Sequence, residues 1–495
     1  MPLDPKTPVL VGYGQVNQRI DDGAAAEVLH PVALMASAAR KAADPRVLEA
    51  VDAIRVVNLL SWRYRDPGLL LGELIGANNP ATVYTGIGGN VPQSLVNQAC
   101  LDIMAGRNDV VLLAGAETWR SRKRLKANGV RPDWPVQDDS VAVPPGGEDA
   151  MEMAGESQER IGLGLPSDVY PMFEEALRIA AGETPDEHRR RIGELWARFN
   201  VVAQSNPHAW SNAAYTAEDI WQPSPANRMI SWPYTKLMNS NNMVDQGAVL
   251  VLTSVERAQQ LQIPSERWIF PWAGTDSHDT YSITERFEYH RSPAIRIGAR
   301  RALELSGSAL DDIDFVDVYS CFPSAVQVAA QEIGLGLDDP ARPLTVTGGL
   351  TFAGGPWNNY VMHSIATMAE TLVAHPGRRG LITANGGYLT KHSFGVYSSV
   401  PPAAEFAWED VQSIVDREPT REALVSWEGV GTVETWTAPF GRDGAPAKAF
   451  LAVRTPDDLR TLAVISDPAA AAVTVTEDIA GAKVTVNADG TASLV

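Results

Sequence analysis

The feature that most constrains this chain is an alternation of short apolar runs with stretches of helical spacing. Residues 8–12 and 51–60 are predicted strands, and the run at 109–114 is predicted to be a buried strand. Residues 32–41 and 95–105 instead place their apolar side chains three and four positions apart, as in a helix packed on one face. Alternation of this kind is typical of a sheet covered by helices. The sequence therefore predicts a layered α/β fold.

The alternating region contains a weak internal repeat. The pair Gly88-Gly89 precedes a helix and then a strand that ends at Ala114-Gly115. The pair Gly354-Gly355 precedes a helix and then a strand that ends in the Asn-Gly-Gly of residues 385–387. We predict two similar α/β halves packed together. The alternative is that any two α/β segments share these features.

Two segments depart from the alternation. Residues 118–240 contain helical stretches at 168–181 and 185–205 but no strong strand, which predicts a helical insertion lying across one face of the sheet. After residue 402, short β-rich stretches separated by turn residues predict a small β-barrel or sandwich. Its expected strands are residues 423–427, 431–437, 449–453, 462–465, 472–476 and 483–486. The predicted domains are a first half (1–117 and 241–265), the insertion (118–240), a second half (266–402) and a C-terminal β-domain (405–495).

The charge balance limits the partners that we expect. The 41 basic and 60 acidic residues give a net charge of −19, and a field of that sign repels phosphate backbones, so nucleic acid is not an expected partner. The two cysteines, Cys100 and Cys321, argue against a disulfide framework. The chain does not begin with a basic segment followed by an apolar core, and its apolar runs are too short to span a bilayer. We expect a cytoplasmic protein without a membrane span.

The start of the helix after Gly88 has the features of a binding site. Asn90 is a good N-cap residue and Pro92 suits a first helical turn, while the two preceding glycines allow close approach. Free amide groups and the positive end of the helix dipole suit an anion, a carbonyl or a developing oxyanion. The alternative is a buried helix with a glycine turn that serves packing.

Three further side chains are candidates for chemistry or for the core. Cys321 follows a predicted strand, where sites form in α/β folds, so it is either a nucleophile or base or a small buried residue. His363, in the helix after Gly355, is either a base or orienting group or a core residue. Cys100 lies on an apolar helix face and is predicted to be core. The other histidines lack metal-ligand spacing, and no complete dinucleotide fingerprint follows Gly12, so we expect neither a metal nor a nicotinamide site.

Taken together, these segments resemble the thiolase superfamily over about residues 5–400, including the position of the insertion. The tail resembles the extra OB-like C-terminal domain of the actinobacterial thiolase-like proteins type 1. The matching motifs are DVVLLAGAE at 109–117, VDQGA at 244–248, YSCF at 319–322, GGP at 354–356, NGG at 385–387 and GTVETWT at 431–437.

The resemblance implies that the four functional signatures of a thiolase are altered in this chain. It places Gly89 at the nucleophilic cysteine, Gly355 at the activating histidine, Asn385 at the acid/base cysteine and Tyr319 at the first oxyanion residue. Without the nucleophile, covalent catalysis by the ordinary thiolase route is not expected.

The function implied is that of a thiolase-like protein that binds an acyl-CoA thioester, as ligand or substrate, without another cofactor. The candidate catalytic residues are Tyr319, Cys321 and His363, and the candidate binding residues are Gly89, Asn90, Gly354, Gly355, Asn385 and Gly386. Three alternatives stay open: an acyltransferase that uses Cys321, a retro-aldol lyase acting on a CoA ester, and a scaffold that binds a protein partner through the C-terminal domain.

Overall fold

A computed structural model describes residues 3–20, 28–146 and 154–495. Residues 1–2, 21–27 and 147–153, which fall in the predicted first half and insertion, lie outside the described residues. The strands are β1 Pro8–Asn17, β2 Ala53–Val56, β3 Ala81–Tyr84, β4 Val110–Thr118, β5 Met229–Ser231, β6 Tyr234–Thr235, β7 Asp245–Ser254, β8 Phe270–His278, β9 Phe315–Asp317, β10 Arg379–Gly386, β11 Lys391–Ser398, β12 Ala407–Asp410, β13 Gly429–Thr437, β14 Ala449–Arg454, β15 Arg460–Ile465, β16 Lys483–Val486 and β17 Ala492–Leu494. The α-helices are α1 Pro31–Ala42, α2 Pro45–Glu49, α3 Pro67–Ile75, α4 Val91–Met104, α5 Trp119–Ala127, α6 Glu156–Ile161, α7 Pro166–Ala181, α8 Pro185–Ser205, α9 Ala217–Trp221, α10 Val255–Gln260, α11 Pro293–Leu305, α12 Pro323–Ile333, α13 Gly349–Phe352, α14 Tyr360–Ala374, α15 Gln412–Val415 and α16 Pro468–Thr476.

Several helices begin with a capping side chain followed by proline. Asp66 accepts a hydrogen bond from Leu69 N at the start of α3, Thr184 caps α8 and Ser292 caps α11. In each of these helices proline occupies the first turn, and its fixed φ matches that of a helix. Proline has no backbone N–H, but the N–H groups of the first turn have no acceptor within the helix, so no hydrogen bond is lost. Local sequence therefore favours these helix starts.

Two mixed sheets share one arrangement of four strands. The order β1-β7-β4-β2 in the first sheet corresponds to β8-β11-β10-β9 in the second. In both, the first two neighbouring pairs are antiparallel and the third is parallel. β3 extends one sheet and β12 the other. This correspondence confirms the prediction of two similar halves.

The two sheets enclose a central pair of helices. α4 contacts β4 and β7 on one side and β10 and β11 on the other, and α14 contacts β7 and β10. α1 covers the outer face of the first sheet and α11 that of the second. Cys100 lies fully buried on α4. The predicted α-β-α-β-α layering is therefore present. In the described part of the chain, no helix combines the length and apolar character needed to cross a membrane.

The regular structure of the insertion is mainly helical (α5 to α9), as its sequence indicates, and its described residues also form a short hairpin, β5–β6. One stretch of it also covers an edge of the first sheet. Tyr84 N, in the edge strand β3, donates to Pro145 O at 3.1 Å, and Arg65 and Asp66 both donate backbone N–H groups to Gln137 Oε1 at 2.9 and 2.8 Å. Part of the edge that a second chain would use for strand pairing is thus occupied by this chain itself.

The C-terminal strands form a third sheet in the order β15-β14-β13-β16-β17. Its neighbouring strands are antiparallel, and a parallel bridge between Val464 and Thr491 brings the two outer strands together. Along the chain, α16 lies between the third strand of this sheet, β15, and the fourth, β16. This is the topology of a small OB-like barrel. The predicted C-terminal β-domain is present.

The structure differs from two of the predicted strands of this domain and from one predicted boundary. Residues 423–427 form only an isolated bridge, and residues 472–476 end α16. The Asp467 carboxylate accepts hydrogen bonds from Ala469 N and Ala470 N, so the cap and the alanine run override the alternating Val-Thr pattern. β12 pairs with β8, so the second sheet extends to residue 410, past the predicted end at 402.

The barrel is docked on the rest of the chain through buried arginines. Arg460 is fully buried, pairs with Glu434, and donates to the carbonyl oxygens of Thr284 at 3.0 Å and Phe287 at 3.2 Å. Arg178 of α7 forms a two-pronged ion pair with Asp478 at 2.8 and 2.9 Å. The barrel therefore packs on both the insertion and the second half.

Candidate functional site

The helix start predicted as a binding site is filled by neighbouring atoms. A Cβ atom at Gly89 would collide with the Tyr319 hydroxyl and with the backbone oxygen of Asn385. Asn90 Oδ1 lies 2.6 Å from the position of a Cβ at Gly386. Glycine is needed here because the protein's own groups approach so closely. Gly89, Asn90, Tyr319, Asn385 and Gly386 are thus brought together in one cluster.

Asn90 does not cap α4. Its backbone is helical, and its side chain makes no capping hydrogen bond, contrary to the prediction. Its Oδ1 instead faces Gly88 and Gly386 and is buried without a hydrogen-bond partner among the described residues. Asn385 Oδ1 is in the same state. Two buried acceptors in one cluster therefore lack a donor, and an unmade buried hydrogen bond of this kind is costly.

Cys321 joins this cluster through Asn385. The Asn385 Nδ2 group lies 3.7 Å from Cys321 Sγ and donates to the Tyr170 hydroxyl at 3.0 Å. Burial raises the pKa of Cys321 to about 12, an effect larger than the opposing hydrogen bonds from Tyr170 and Asn385. The side chain is therefore a neutral thiol, and a thiol is a poor nucleophile.

Tyr170 belongs to the cluster although sequence reasoning missed it. It lies on α7 of the insertion, donates to Gly387 O at 2.9 Å and accepts from Leu389 N at 2.9 Å. Its ring stacks on Phe322 at 4.4 Å between centroids. No motif near residue 170 indicates this role, because all of its partners in the cluster are far away in the sequence. Cys321 and Phe322 lie about 150 positions from Tyr170, and the other partners lie more than 200 positions away.

Tyr319 is held in place by the second half. Its backbone N–H donates to Thr383 Oγ1 at 2.9 Å, and its ring meets Tyr360 edge-on at 5.5 Å. Burial raises the pKa of the Tyr319 hydroxyl well above its ordinary value. The hydroxyl is therefore protonated at neutral pH and can donate a hydrogen bond or a proton, but not accept a proton.

The second glycine pair is filled in the same way as the first. Gly354, at φ +106°, faces Gln246 Oε1 so closely that a Cβ would collide with it. A Cβ at Gly355 would lie 2.9 Å from Asn242 Oδ1. The two glycine segments are tied together because Gly88 N donates to Asn358 Oδ1 at 3.1 Å. Both predicted binding segments therefore lie at one place, but side chains of the protein occupy the space between the backbones.

His363 has different partners. Its Nδ1 atom lies 2.9 Å from Gln15 Oε1, and Gln15 Nε2 donates to Thr367 Oγ1 at 3.1 Å. Burial lowers the pKa of His363 to about 3, and the nearby His208 adds to this effect. His363 is therefore a neutral, buried imidazole hydrogen-bonded to β1, and the structure shows no hydrogen bond between it and Tyr319, Cys321 or Asn385 in the described part of the chain.

Little free volume lies beside the cluster. A cavity of about 10 Å³ is lined by Tyr319, Asn385 and His392, which is at the lower limit for one water molecule. A larger cleft of about 460 Å³ lies beyond Asp279 and Arg286. Asp279 and Arg286 line this cleft, whereas His392 lines the small cavity, and His392 Nε2 lies 3.7 Å from Asp279 Oδ2. Among the described residues, no group of His, Cys, Asp and Glu side chains is arranged to hold a metal ion.

Comparison with known proteins gives matches over the whole chain and over its tail. The profile of the thiolase-like protein type 1 additional C-terminal domain matches residues 410–491. A monomeric SCP2-thiolase-like protein type 1 from Mycobacterium smegmatis has a similar structure, with a TM-score of 0.84 and 31% sequence identity over 100% of both chains.

Two more distant structures share the fold over 80% of this chain. The Ltp2–ChsH2(DUF35) aldolase has a TM-score of 0.60 and 20% identity over 98% of its chain. An acetyl-CoA acetyltransferase from Syntrophomonas wolfei has a TM-score of 0.57 and 16% identity over 100% of its chain. With the whole-length match and the matching tail, these findings show that the chain belongs to the SCP2-thiolase-like proteins of type 1, built on the thiolase fold.

Proposed function

We propose that this protein binds an acyl-CoA thioester and does not perform thiolysis or acyl transfer through a cysteine. The observation that carries the proposal is the filled space at Gly89, where the Tyr319 hydroxyl and the Asn385 carbonyl oxygen leave no room for a nucleophilic side chain. A thiolase nucleophile needs that room to attack a thioester carbonyl.

The ligand class rests on the fold and on the unused acceptors of the cluster. The acetyl-CoA acetyltransferase with the same fold is, by its name, a protein that acts on a CoA thioester. In this chain, Asn90 Oδ1 and Asn385 Oδ1 lack partners among the described residues and suit amide N–H donors. The pantetheine arm of CoA carries two such amides. A CoA thioester that displaces the side chains filling the cluster therefore supplies both a carbonyl and the donors that the cluster lacks.

The acyltransferase alternative requires Cys321 to attack a thioester. Its pKa of about 12 keeps the thiol protonated at neutral pH, and no described side chain within hydrogen-bond distance is a base that would remove the proton. Asn385 and Tyr170 are both neutral groups. Cys321 therefore serves packing and hydrogen bonding in this proposal, with no covalent intermediate.

The retro-aldol alternative is favoured by one observation, the Tyr319 hydroxyl at the position of the thiolase nucleophile. In such a cleavage a base takes the β-hydroxyl proton, the Cα–Cβ bond breaks to give a carbonyl product, and the resulting enolate accepts a proton. Tyr319, held protonated by burial, suits only the last step. Incubation with a β-hydroxyacyl-CoA and assay for the carbonyl product distinguishes this lyase from a binding protein.

The scaffold alternative concerns the C-terminal barrel. Part of its surface is already used within the chain, because Thr435 Oγ1 donates to Met172 O at 2.5 Å and Arg460 is fully buried against the second half. A protein partner would have to use the remaining surface. The aldolase named above is, by its name, an assembly with a DUF35 protein, which supports a search for such a partner by affinity capture.

The decisive experiment combines binding with an assay for covalent chemistry. Calorimetric titration with CoA, acetyl-CoA and longer acyl-CoAs is expected to show saturable binding, and intact-mass analysis after incubation is expected to show no acyl adduct. Cys321→Ser serves as the control for any adduct that does form. Acetoacetyl-CoA thiolysis within tenfold of an ordinary thiolase, or an adduct that is absent in Cys321→Ser, contradicts the proposal.

A further inference from the structure

A strongly basic segment stands out on this acidic chain. Residues 119–131 contain six of the 41 basic residues and no acidic one. Most of the segment forms α5, where cations three and four positions apart face the same side and repel one another. Arg120 and Arg124 have interaction partners, and Arg122 acts electrostatically on Glu117. Lys123 and Lys126 are exposed and form no ion pair with an acidic side chain of the described ranges. These two lysines, beside the arginine over the Trp119 ring, suit an anionic ligand.

The basic segment begins at the rim of the candidate site. The Trp119 ring lies 6.2 Å from the ring of Trp357, and Trp357 N donates to Gly355 O at 2.7 Å. One turn along α5, Lys123 Nζ lies 3.8 Å from Met243 Sδ. The cations therefore lie next to the second glycine segment, on the side where Trp357 and Met243 are exposed.

The aromatic pair has two unusual features. Trp357 adopts a φ of +49°, a left-handed conformation that bulky residues rarely take, and its side chain is 36% exposed. Strain of this kind persists at positions that serve binding or catalysis. The Nε1 donor of Trp119 is buried without a hydrogen-bond partner in the described structure, and the Arg122 guanidinium lies 5.2 Å above the Trp119 ring. The pair thus offers an exposed flat ring beside cations.

We infer that α5 and the Trp119–Trp357 pair bind the nucleotide end of a CoA molecule. The phosphates contact Lys123 and Lys126, and the adenine base lies against Trp357. The inference rests on the proposed function, since it takes the ligand to be a CoA ester. Lys126 is about 10 Å along the helix from Trp119, which matches the span from a base to its phosphates. The net charge of −19 disfavours nucleic acids and anionic membranes, whereas a small polyphosphate touches only this segment.

The test uses a fragment that lacks the thioester and a fragment that lacks the nucleotide. Adenosine 3′,5′-bisphosphate, CoA and S-acetylpantetheine are titrated against the wild type and Lys123→Glu/Lys126→Glu by calorimetry. The double reversal is expected to weaken the bisphosphate and CoA by roughly tenfold or more, with a salt-sensitive affinity, and to leave S-acetylpantetheine unchanged. The matched control, Lys6→Glu/Lys483→Glu, makes the same change in net charge at two exposed lysines and is expected to change no affinity by more than twofold.

A second variant separates the base from the phosphates. Trp357→Ala is expected to weaken adenosine 3′,5′-bisphosphate severalfold and to leave inorganic pyrophosphate unchanged, since stacking needs the ring and pyrophosphate does not. A CoA affinity within twofold of wild type in the double reversal overturns the inference and leaves the proposed function intact. Absence of bisphosphate binding at millimolar concentration also overturns it. Bisphosphate binding without acyl-CoA binding supports the nucleotide site and contradicts the proposed function.

Discussion

Gly89→Ala tests whether the thiolase-like site is filled. The added methyl group meets the Tyr319 hydroxyl and the Asn385 carbonyl oxygen at distances that no real Cβ adopts. The tyrosine ring can tilt, whereas the carbonyl belongs to β10 and moves only with the backbone. Overpacking a close-packed site costs about 1–3 kcal/mol. Alanine also lowers the entropy of the unfolded chain, which offsets about 0.4–1 kcal/mol. The free energy of unfolding should therefore fall by about 1–2 kcal/mol.

Urea unfolding followed by circular dichroism measures this change as a shift of the midpoint. Gly164→Ala is the matched control, because a Cβ at Gly164 meets no atom within 4 Å and its φ lies outside the left-handed region. The control should leave the midpoint unchanged or raise it slightly. Gly89→Ala/Tyr319→Phe removes the hydroxyl and should regain part of the loss, with a coupling of about 0.5–1 kcal/mol. Equal midpoints for Gly89→Ala and Gly164→Ala would refute the view that the site is filled.

Four other expectations follow from the described contacts. Cys321 should resist iodoacetamide at pH 8 in the native protein, as measured by mass spectrometry, since a pKa of about 12 leaves about one thiolate in ten thousand. Arg460→Ala removes a fully buried guanidinium and leaves the partly buried Glu434 without its partner, which should cost about 3–5 kcal/mol and speed proteolysis between residues 400 and 428; an unchanged cleavage rate contradicts the docking. Burial lowers the pKa of His188, but Glu174 raises it overall, so its stabilising effect is complete below about pH 6.5 and declines as pH rises through the folded-state value. The gap in unfolding midpoint between wild type and His188→Gln should accordingly shrink from pH 6 to pH 9. Light scattering should give a monomer of 53.4 kDa, because residues near Pro145 cover the edge strand β3; a dimer contradicts this.

The spacing of apolar residues predicts much of the fold, because it indicates which face of a helix or strand is buried. That face can be identified within a single helix or strand, without knowledge of its neighbours. The helix at residues 185–205 has the predicted bounds, since its capping box at Thr184 and its apolar spacing agree. The predictions are wrong where a capping residue or a strand distant in the sequence determines the secondary structure. α16 forms because Asp467 caps an alanine run, despite the alternating pattern that follows. β12 joins the second sheet because β8 offers an open edge, which no local pattern reveals.

The candidate site is less predictable, because its members come from separate elements. Sequence motifs bring Gly89, Tyr319 and Asn385 into consideration, and the structure joins them. Tyr170 has no such motif, since α7 belongs to the insertion and reaches the cluster only through tertiary packing. His363 has a suggestive position in the sequence, yet its helix places the ring against Gln15 of β1. A motif identifies which backbone segments meet, and side-chain packing decides what occupies the space between them.

Two physical reasons can explain why glycine occupies these positions, and the structure distinguishes between them. Glycine persists where a ligand approaches the backbone or where the protein's own atoms do. At Gly89, Gly354 and Gly386 the approaching atoms are those of Tyr319, Gln246 and Asn90, so the need for glycine is explained without a ligand. A ligand that reaches the cluster must therefore either displace these side chains or bind at the rim that Trp357 and α5 form. A ligand bound at this rim leaves the cluster around Gly89 and Tyr319 undisturbed. In that case the charge reversals on α5 test ligand binding, and the methyl group at Gly89 tests the packing of the cluster, so the two experiments are independent.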